Sequence, residues 1–162
     1  MGKTKAKPKT TSRGRTPAEE QTARQHELAT KLRGELAELA FALKAVNLGF
    51  GVAKPYGDSQ RFDFILRSGS KLSRVQVKST TTLLNGLYRI NAHRRIGGRA
   101  IAYLPSEVDF LVAYIIPERV FFILPIQDIL NRTSLLFCPK GYPRGGINEP
   151  YREAWHLLRK PK

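Results

Sequence analysis

The sequence has little cysteine and little histidine, and both shortages exclude classes of protein. Its one cysteine, Cys138, can form neither an intrachain disulfide nor a cysteine zinc site. The three histidines, His26, His93 and His156, lie far apart and match no zinc-ligand spacing. A zinc finger or a histidine-metal nuclease motif is therefore not expected.

Long apolar runs are also missing. The longest, from Phe110 to Ile126, is broken by Pro117, Glu118 and Arg119, which does not suit a membrane span. No apolar segment follows the basic N-terminus, as a secretory signal would require. We therefore expect an intracellular protein, cytoplasmic or nucleoid-associated, with no membrane partner.

Acidic residues are scarce as well, and this shortage points to a partner. The 162 residues carry 28 Lys and Arg against 13 Asp and Glu, a formal net charge of +15. So large an excess repels itself in the folded state, and a polyanionic partner is the usual reason to tolerate it. Nucleic acid is the leading candidate, ahead of an anionic membrane surface and of a merely soluble basic protein.

The basic residues are concentrated at the N-terminus. Residues 1–16 contain no acid and no large apolar residue after Met1. Such a segment cannot bury enough surface to offset its ordering entropy, so we predict a disordered arm over 1–24 and a single domain over 25–162. The arm either tracks a DNA backbone or is a solubilising tail. Its expected DNA contacts are Lys3, Lys5, Lys7, Lys9, Arg13 and Arg15.

A helix is predicted from Ala18 or Gln25 to Asn47, ended by glycines. Six of its aliphatic residues fall within about 80° of one another on a helical wheel. This stripe is predicted to face the core. It consists of Leu28, Leu32, Leu36, Leu39, Leu43 and Val46.

Short strands follow the helix, separated by turn residues. Three of them, at 50–54, 61–66 and 72–79, are predicted to form two hairpins in succession. Further strands are predicted at 88–91, 110–116 and 120–124, and short helices at 125–130 and 150–158. This order of elements predicts an α/β or α+β core with one sheet.

Three polar residues of these strands suggest chemistry. Asp63 lies inside the second predicted strand, where aspartate is uncommon, so its presence there needs a reason. In the third strand Gln76 and Lys78 share one face, about 7 Å apart, while Val75 and Val77 face the core. If the two strands pair, all three polar side chains meet at one corner of the sheet.

A carboxylate, an amide oxygen and an ammonium together suit phosphodiester hydrolysis. Mg²⁺ prefers hard oxygen ligands, few of them from protein, and completes its shell with water and phosphate. The metal would orient or generate the attacking water. Lys78 would hold that water and stabilise the transition state.

Several motifs occur in an order that resembles a known family. They are Gly34-x-x-x-Glu38, Gly57-Asp58-x-x-Arg61-x-Asp63, Val75-Gln76-Val77-Lys78-Ser79, and the later stretches 103–110, 114–117 and 151–155. Together they resemble the PD-(D/E)XK nuclease superfamily, in the branch that includes group I intron homing endonucleases. The resemblance covers about residues 30–158. It implies a restriction-endonuclease-like α/β (α+β) core, with an N-terminal helix followed by a mixed central sheet flanked by helices.

The resemblance also implies roles for four residues. Asp63 is the principal metal ligand, Gln76 stands in place of the second acid, and Lys78 is the motif lysine. Glu38 is the helix acid that binds metal directly or through water, although helical geometry alone slightly favours Glu35. The implied cofactor is Mg²⁺ or Mn²⁺.

The expected function is therefore a metal-dependent DNA endonuclease, homing-type or otherwise site-specific. Gln76 departs from the commonest pattern and removes one negative charge, which leaves open a catalytically inactive DNA-binding module. The homing-endonuclease branch also carries Gln there. A structure-specific junction or repair nuclease is a third alternative. Because cutting both strands usually needs two sites, we expect a homodimer or higher oligomer.

A basic segment over 93–99, with two glycines, is predicted to be a loop that contacts DNA phosphates or guanine edges. The alternative is a solvated surface loop. The residues expected to bind DNA are His93, Arg94, Arg95 and Arg99.

Overall fold

The computed structural model describes residues 16–57, 59–140 and 145–160, and helix α1 (Pro17–Asn47) is its first element. The chain divides into two compact units, Met1–Leu32 and Arg33–Lys162, and α1 contributes to both. Residues 17–24 form the first turns of α1, and the division predicted at residue 24 stays a prediction. The basic residues predicted for that arm lie outside the described residues: Lys3, Lys5, Lys7, Lys9, Arg13 and Arg15.

Short strands follow α1 along the described chain. Their bounds are β1 (Gly51–Ala53), β2 (Phe64–Ser68), β3 (Lys71–Thr80), β4 (Leu83–Leu84), β5 (Leu87–Asn91), β6 (His93–Ile96), β7 (Arg99–Ala102), β8 (Phe110–Ile115), β9 (Val120–Pro125) and β10 (Ser134–Phe137). The central sheet has the order β1-β2-β3-β8-β9, in which only β3 and β8 run parallel. This mixed sheet confirms the predicted fold class.

The central sheet is covered on both faces. Helix α1 packs on one face, where Phe41 contacts Phe64 and stacks on Trp155 with ring centroids 5.6 Å apart. A second sheet, β10-β5-β4, covers the other face through residues such as Ile90 and Phe137. Strands β8 and β9 therefore alternate between two apolar layers, and all six residues of β8 are buried.

The predicted inward stripe of α1 is wrong. The face on the sheet consists of Ala37, Phe41 and Ala45, each at most 1% exposed. The small alanines let the helix approach the sheet closely around the Phe41 ring, which a helical wheel weighted by leucine does not detect. The stripe is exposed instead: Leu32 56%, Leu36 51%, Leu39 72%, Leu43 65% and Val46 57%. The side chain of the sixth member, Leu28, lies outside the described residues.

Three further elements differ from the sequence predictions. The short helix at 125–130 is a 3-10 turn, Ile126–Ile129, and the one at 150–158 is two such turns separated by a bridge from Arg152 to Phe122. The basic segment at 93–99 is a hairpin of β6 and β7, because Gly97 and Gly98 adopt the positive φ angles that a tight hairpin turn needs. No helix in the described ranges is long and apolar enough to cross a membrane.

Candidate active site

Asp63 stands at the point where the chain enters β2. Asp63 was predicted inside the strand, but it precedes the first strand residue by one position. Its N–H donates to the Val75 carbonyl at 2.8 Å and continues the hydrogen-bond ladder with β3. Its Oδ2 accepts hydrogen bonds from the Val77 N–H at 2.8 Å and from Gln76 Nε2 at 2.6 Å. Neighbouring strands therefore hold the carboxylate at a fixed position.

The electrostatic environment of Asp63 disfavours its charge. Burial raises the pKa of this carboxyl above its usual value of 3.8, and the charge of Glu38 raises it further. The Val77 N–H, the Lys78 charge and the Gln76 amide lower the pKa but do not cancel the burial. Burial thus makes the ionised form of Asp63 less favourable than in water, and such a shift is common at functional sites.

Gln76 and Lys78 project from β3 on the side opposite Val75 and Val77, which lie in the core as predicted. Gln76 is only 8% exposed, and its amide nitrogen binds Asp63 and the Val77 carbonyl. Its carbonyl oxygen is the atom suited to ligate a metal. The Lys78 ammonium lies 5.9 Å from the ring centroid of the buried Tyr103, and its charge acts on Asp63. The structure therefore brings Gln76 and Lys78 to Asp63.

Glu38 reaches the site from α1. Its charge acts on Asp63, and its side chain is 24% exposed, whereas Glu35 is exposed. Glu38 follows Ala37, which is buried against the sheet. The geometry thus favours Glu38 over Glu35 as the helix acid, against the helical-wheel argument, because the wheel was oriented by the wrong apolar face.

Lys54 is a site residue that the sequence analysis missed. Directly after β1, its ammonium donates to Glu38 Oε2 at 2.8 Å and lies 5.9 Å from the Phe64 ring centroid. This hydrogen bond raises the pKa of Lys54, and the charges of Glu38, Asp63 and Glu35 add to the rise. A lysine at a strand end is a weak signal, since only the three-dimensional arrangement places it beside an acid 16 residues away.

The donor set suits a hard divalent cation held by few protein ligands. Asp63, Glu38 and the Gln76 carbonyl supply oxygens, and the described part of the chain contains no cluster of three or more His, Cys, Asp or Glu side chains that could enclose a metal by themselves. Mg²⁺ commonly binds in this way, with water and substrate phosphate as its remaining ligands. Lys54 now holds Glu38, so Glu38 either exchanges this partner for the metal or acts through a bound water.

The four basic residues predicted to bind DNA occupy different environments on the β6–β7 hairpin. Arg94 is 15% exposed and bonds Glu107 at 2.5 Å, which fixes the hairpin to the loop before β8. His93 Nδ1 lies 2.8 Å from the Thr133 carbonyl oxygen. Arg95 and Arg99, in contrast, are exposed near the turn. Only these last two are presented to solvent as DNA contacts require.

Comparison with known proteins agrees with this geometry. The model of the PD-(D/E)XK endonuclease family matches residues 28–157. The chain therefore belongs to the PD-(D/E)XK endonuclease family and is a nuclease, as the motif order predicts. Nucleases of this family act on DNA and generally use divalent metal ions.

One solved structure is similar to this chain over nearly the whole length of that structure. It is the bacterial homing endonuclease I-Ssp6803I, with 30% sequence identity and a TM-score of 0.72, and the match covers 80% of this chain and 92% of that one. Among curated proteins, none matches the sequence. The comparisons confirm the predicted family and the fold.

Proposed function

We propose that this chain is a Mg²⁺- or Mn²⁺-dependent endonuclease that hydrolyses phosphodiester bonds of double-stranded DNA at specific sites. The observation that carries the proposal is Asp63, a half-buried carboxylate with a raised pKa, held between Gln76 and the Val77 N–H and facing the charge of Lys78. A carboxylate that is held in place by backbone and amide hydrogen bonds, with a second acid and a lysine beside it, suits metal-assisted hydrolysis.

Each residue of the site has a role in this proposal. Asp63, the Gln76 carbonyl and Glu38 hold the metal, which when bound supplies a Lewis acid and an activated water. Lys78 orients the attacking water and offsets charge that develops on the phosphate. The buried position of Gln76 fixes the direction of its amide. The amide nitrogen donates to Asp63, and the carbonyl oxygen is the atom that would ligate the metal.

DNA binding is proposed to rest on the basic surface. Arg95 and Arg99 extend from the hairpin that follows β3 and β5 in the chain, and the net charge of +15 favours a polyanion. The similar solved structure is a homing endonuclease, and we propose a homing-type, sequence-specific target here as well. Double-strand cleavage by one-site subunits further calls for a homo-oligomer.

A second candidate is a DNA-binding module on the nuclease fold that does not cleave. Gln76 favours it, since an amide in place of an acid removes one negative charge from the metal site. The tight 2.6 Å hydrogen bond from Gln76 to Asp63 favours an active site instead, because it orients the carboxylate that remains.

The proposal is tested by nicking of supercoiled plasmid by wild type and Asp63→Asn, each with Mg²⁺ and with EDTA. A plasmid library of random inserts supplies candidate recognition sites. We expect Mg²⁺-dependent nicking by wild type and a loss of about 100- to 1,000-fold in the variant, the scale of losing one charge-stabilising group. DNA binding by the variant is expected to persist.

Asp109→Asn is the matched control, because Asp109 also precedes a strand next to β3 but bonds Arg74. It should nick at the wild-type rate under conditions where both proteins are folded. Equal nicking by wild type and Asp63→Asn would refute the site assignment. Mg²⁺-independent binding without cleavage of any library member would support the inactive module.

A further inference from the structure

Lys54 places a positive charge among the acids of the candidate site. Its ammonium donates to Glu38 Oε2 at 2.8 Å, and the charges of Asp63 and Glu35 also act on it. Lys54 directly follows β1, whereas Glu38 comes from α1, and both belong to the compact unit Arg33–Lys162. An ammonium is therefore bound to one of the oxygens that the proposed function assigns to a divalent cation.

The acids of the site need a cation even before metal binds. Glu38 and Asp63 carry like charges, and the charge of Glu38 acts against the ionisation of Asp63. Both are shielded from solvent, since Asp63 is half-buried and the Glu38 side chain is 24% exposed. Repulsion between carboxylates is stronger in such surroundings than in water. In the metal-free protein, Lys54 offsets part of this negative charge.

Lys54 is held weakly enough to leave Glu38. Its side chain is 63% exposed, and an ion pair with so exposed a partner shifts an equilibrium by about fivefold at most. A second contact is the Phe64 ring, whose centroid lies 5.9 Å from the ammonium, close to the limit of a cation–π interaction. The flexible stem of a lysine lets the ammonium turn toward solvent while the backbone of the strand end stays in place.

A divalent cation competes with Lys54 for Glu38. The ammonium accepts no ligands and binds the carboxylate through hydrogen bonds, whereas Mg²⁺ or Mn²⁺ gathers several oxygens around one charge of +2. The two cations repel each other across the same carboxylate, so direct ligation by Glu38 moves Lys54 away. A contact of Glu38 with the metal through water would leave the ion pair intact. The two arrangements therefore differ in what happens to Lys54.

We propose that Lys54 is an exchangeable counter-ion of the metal site, which holds Glu38 in the metal-free protein and is displaced from it when a divalent cation binds. The proposal rests on the proposed function, in which Glu38 and Asp63 hold the metal. Lys54 is then a positioning residue. It keeps the Glu38 carboxylate directed into the site, and by competing for it sets the metal concentration at which the site fills.

The test is Mn²⁺ binding by the full-length protein without DNA, followed by the electron paramagnetic resonance signal of free Mn²⁺ at fixed pH and ionic strength. Lys54→Met removes the competing ammonium and keeps an apolar stem against Phe64. The Mn²⁺ dissociation constant should fall about two- to fivefold, the range of an exposed ion pair. Lys54→Arg keeps both the charge and the hydrogen-bond donors, and should bind Mn²⁺ within about twofold of wild type.

A double-mutant cycle shows whether Lys54 acts through Glu38. In a Glu38→Gln background, Lys54→Met should leave the dissociation constant nearly unchanged, because no ion pair is then exchanged for the metal. An equal fall in both backgrounds would overturn the proposal, since Lys54 would then act on the metal through its general field alone. Lys44→Met is the matched control, because Lys44 also pairs with a glutamate, Glu153 at 3.8 Å, and should leave Mn²⁺ binding as in wild type.

Asp63→Asn separates failure of this proposal from failure of the proposed function. If wild type binds no Mn²⁺ into the millimolar range, or if Asp63→Asn binds it equally well, the metal site is wrongly assigned and the exchange is refuted with it. If Asp63→Asn weakens binding but Lys54→Met binds as wild type does, the metal site stands and the exchange alone is refuted. Far-UV circular dichroism should show the same fold in every variant.

Discussion

Asp63 and Asp109 occupy equivalent places in the central sheet but have opposite electrostatics. Each stands directly before a strand that flanks β3, Asp63 before β2 and Asp109 before β8. Each donates its N–H to a β3 carbonyl and accepts a β3 N–H, from Val77 for Asp63 and from Arg74 for Asp109. The backbone of β3 therefore holds both carboxylates, although β2 runs antiparallel to β3 and β8 runs parallel to it.

The two aspartates differ in the side chain that donates a hydrogen bond to each carboxylate. Burial would raise the pKa of Asp109, but the side-chain and backbone hydrogen bonds of Arg74 and its charge outweigh burial and lower it. Asp63 meets the neutral Gln76 instead, and burial raises its pKa. One sheet thus carries two carboxylates whose pKa values are shifted in opposite directions, and the raised pKa of Asp63 agrees with the site proposed for it.

Glu38 is a further difference between the two aspartates, because its negative charge raises the pKa of Asp63 and is not among the causes that shift the pKa of Asp109. Under the proposed function, Glu38→Gln keeps a carbonyl oxygen but removes the negative charge with which Glu38 holds the metal or a metal-bound water. We expect the nicking rate to fall about 10- to 100-fold, the usual cost of losing a supporting group at a metal site. The Mg²⁺ concentration for half-maximal nicking should rise.

Glu35→Gln is the control for this change, because it removes the same charge one turn earlier from an exposed position. It should leave both the rate and the Mg²⁺ requirement within about twofold of wild type. A larger loss for Glu35→Gln than for Glu38→Gln would mean that the helix acid has been assigned to the wrong residue.

The sequence predicted which polar side chains lie together better than it predicted the elements around them. Strand alternation placed Gln76 and Lys78 on one side of β3, and motif order added Asp63 and Glu38. The orientation of α1 was wrong because periodicity detects an apolar face and cannot tell which of two apolar faces meets the sheet. Lys54 was missed because its partner comes from a different element, and such contacts leave no local pattern.

Substituting asparagine for the two aspartates should change the free energy of unfolding in opposite directions. Asp109→Asn breaks a charge-assisted hydrogen-bond pair with Arg74, whose side chain is 33% exposed while that of Asp109 is 36% exposed. Solvent screening at that exposure limits the loss to about 1 kcal/mol of unfolding free energy. Asp63→Asn removes a disfavoured charge and should raise stability, as measured by urea unfolding at neutral pH without metal. A loss of stability in both variants would show that the backbone N–H hydrogen bonds to each carboxylate, and not its side-chain partner, determine the stability change.

The smallest expected effect is the pH dependence of these differences. Because the pKa of Asp109 is lowered, its stabilising contribution is complete above the usual value of 3.8 and is lost as the pH falls below it. The unfolding free energies of wild type and Asp109→Asn should therefore converge only in that acidic range.

Because the pKa of Asp63 is raised, its charge destabilises the fold at high pH, and this penalty disappears as the pH falls through the raised pKa toward 3.8. The advantage of Asp63→Asn over wild type should therefore shrink before the disadvantage of Asp109→Asn does. Urea unfolding in EDTA from about pH 7 to about pH 3 measures both. If the two differences shrank over the same pH range, the two carboxylates would not differ in the way that their partners imply.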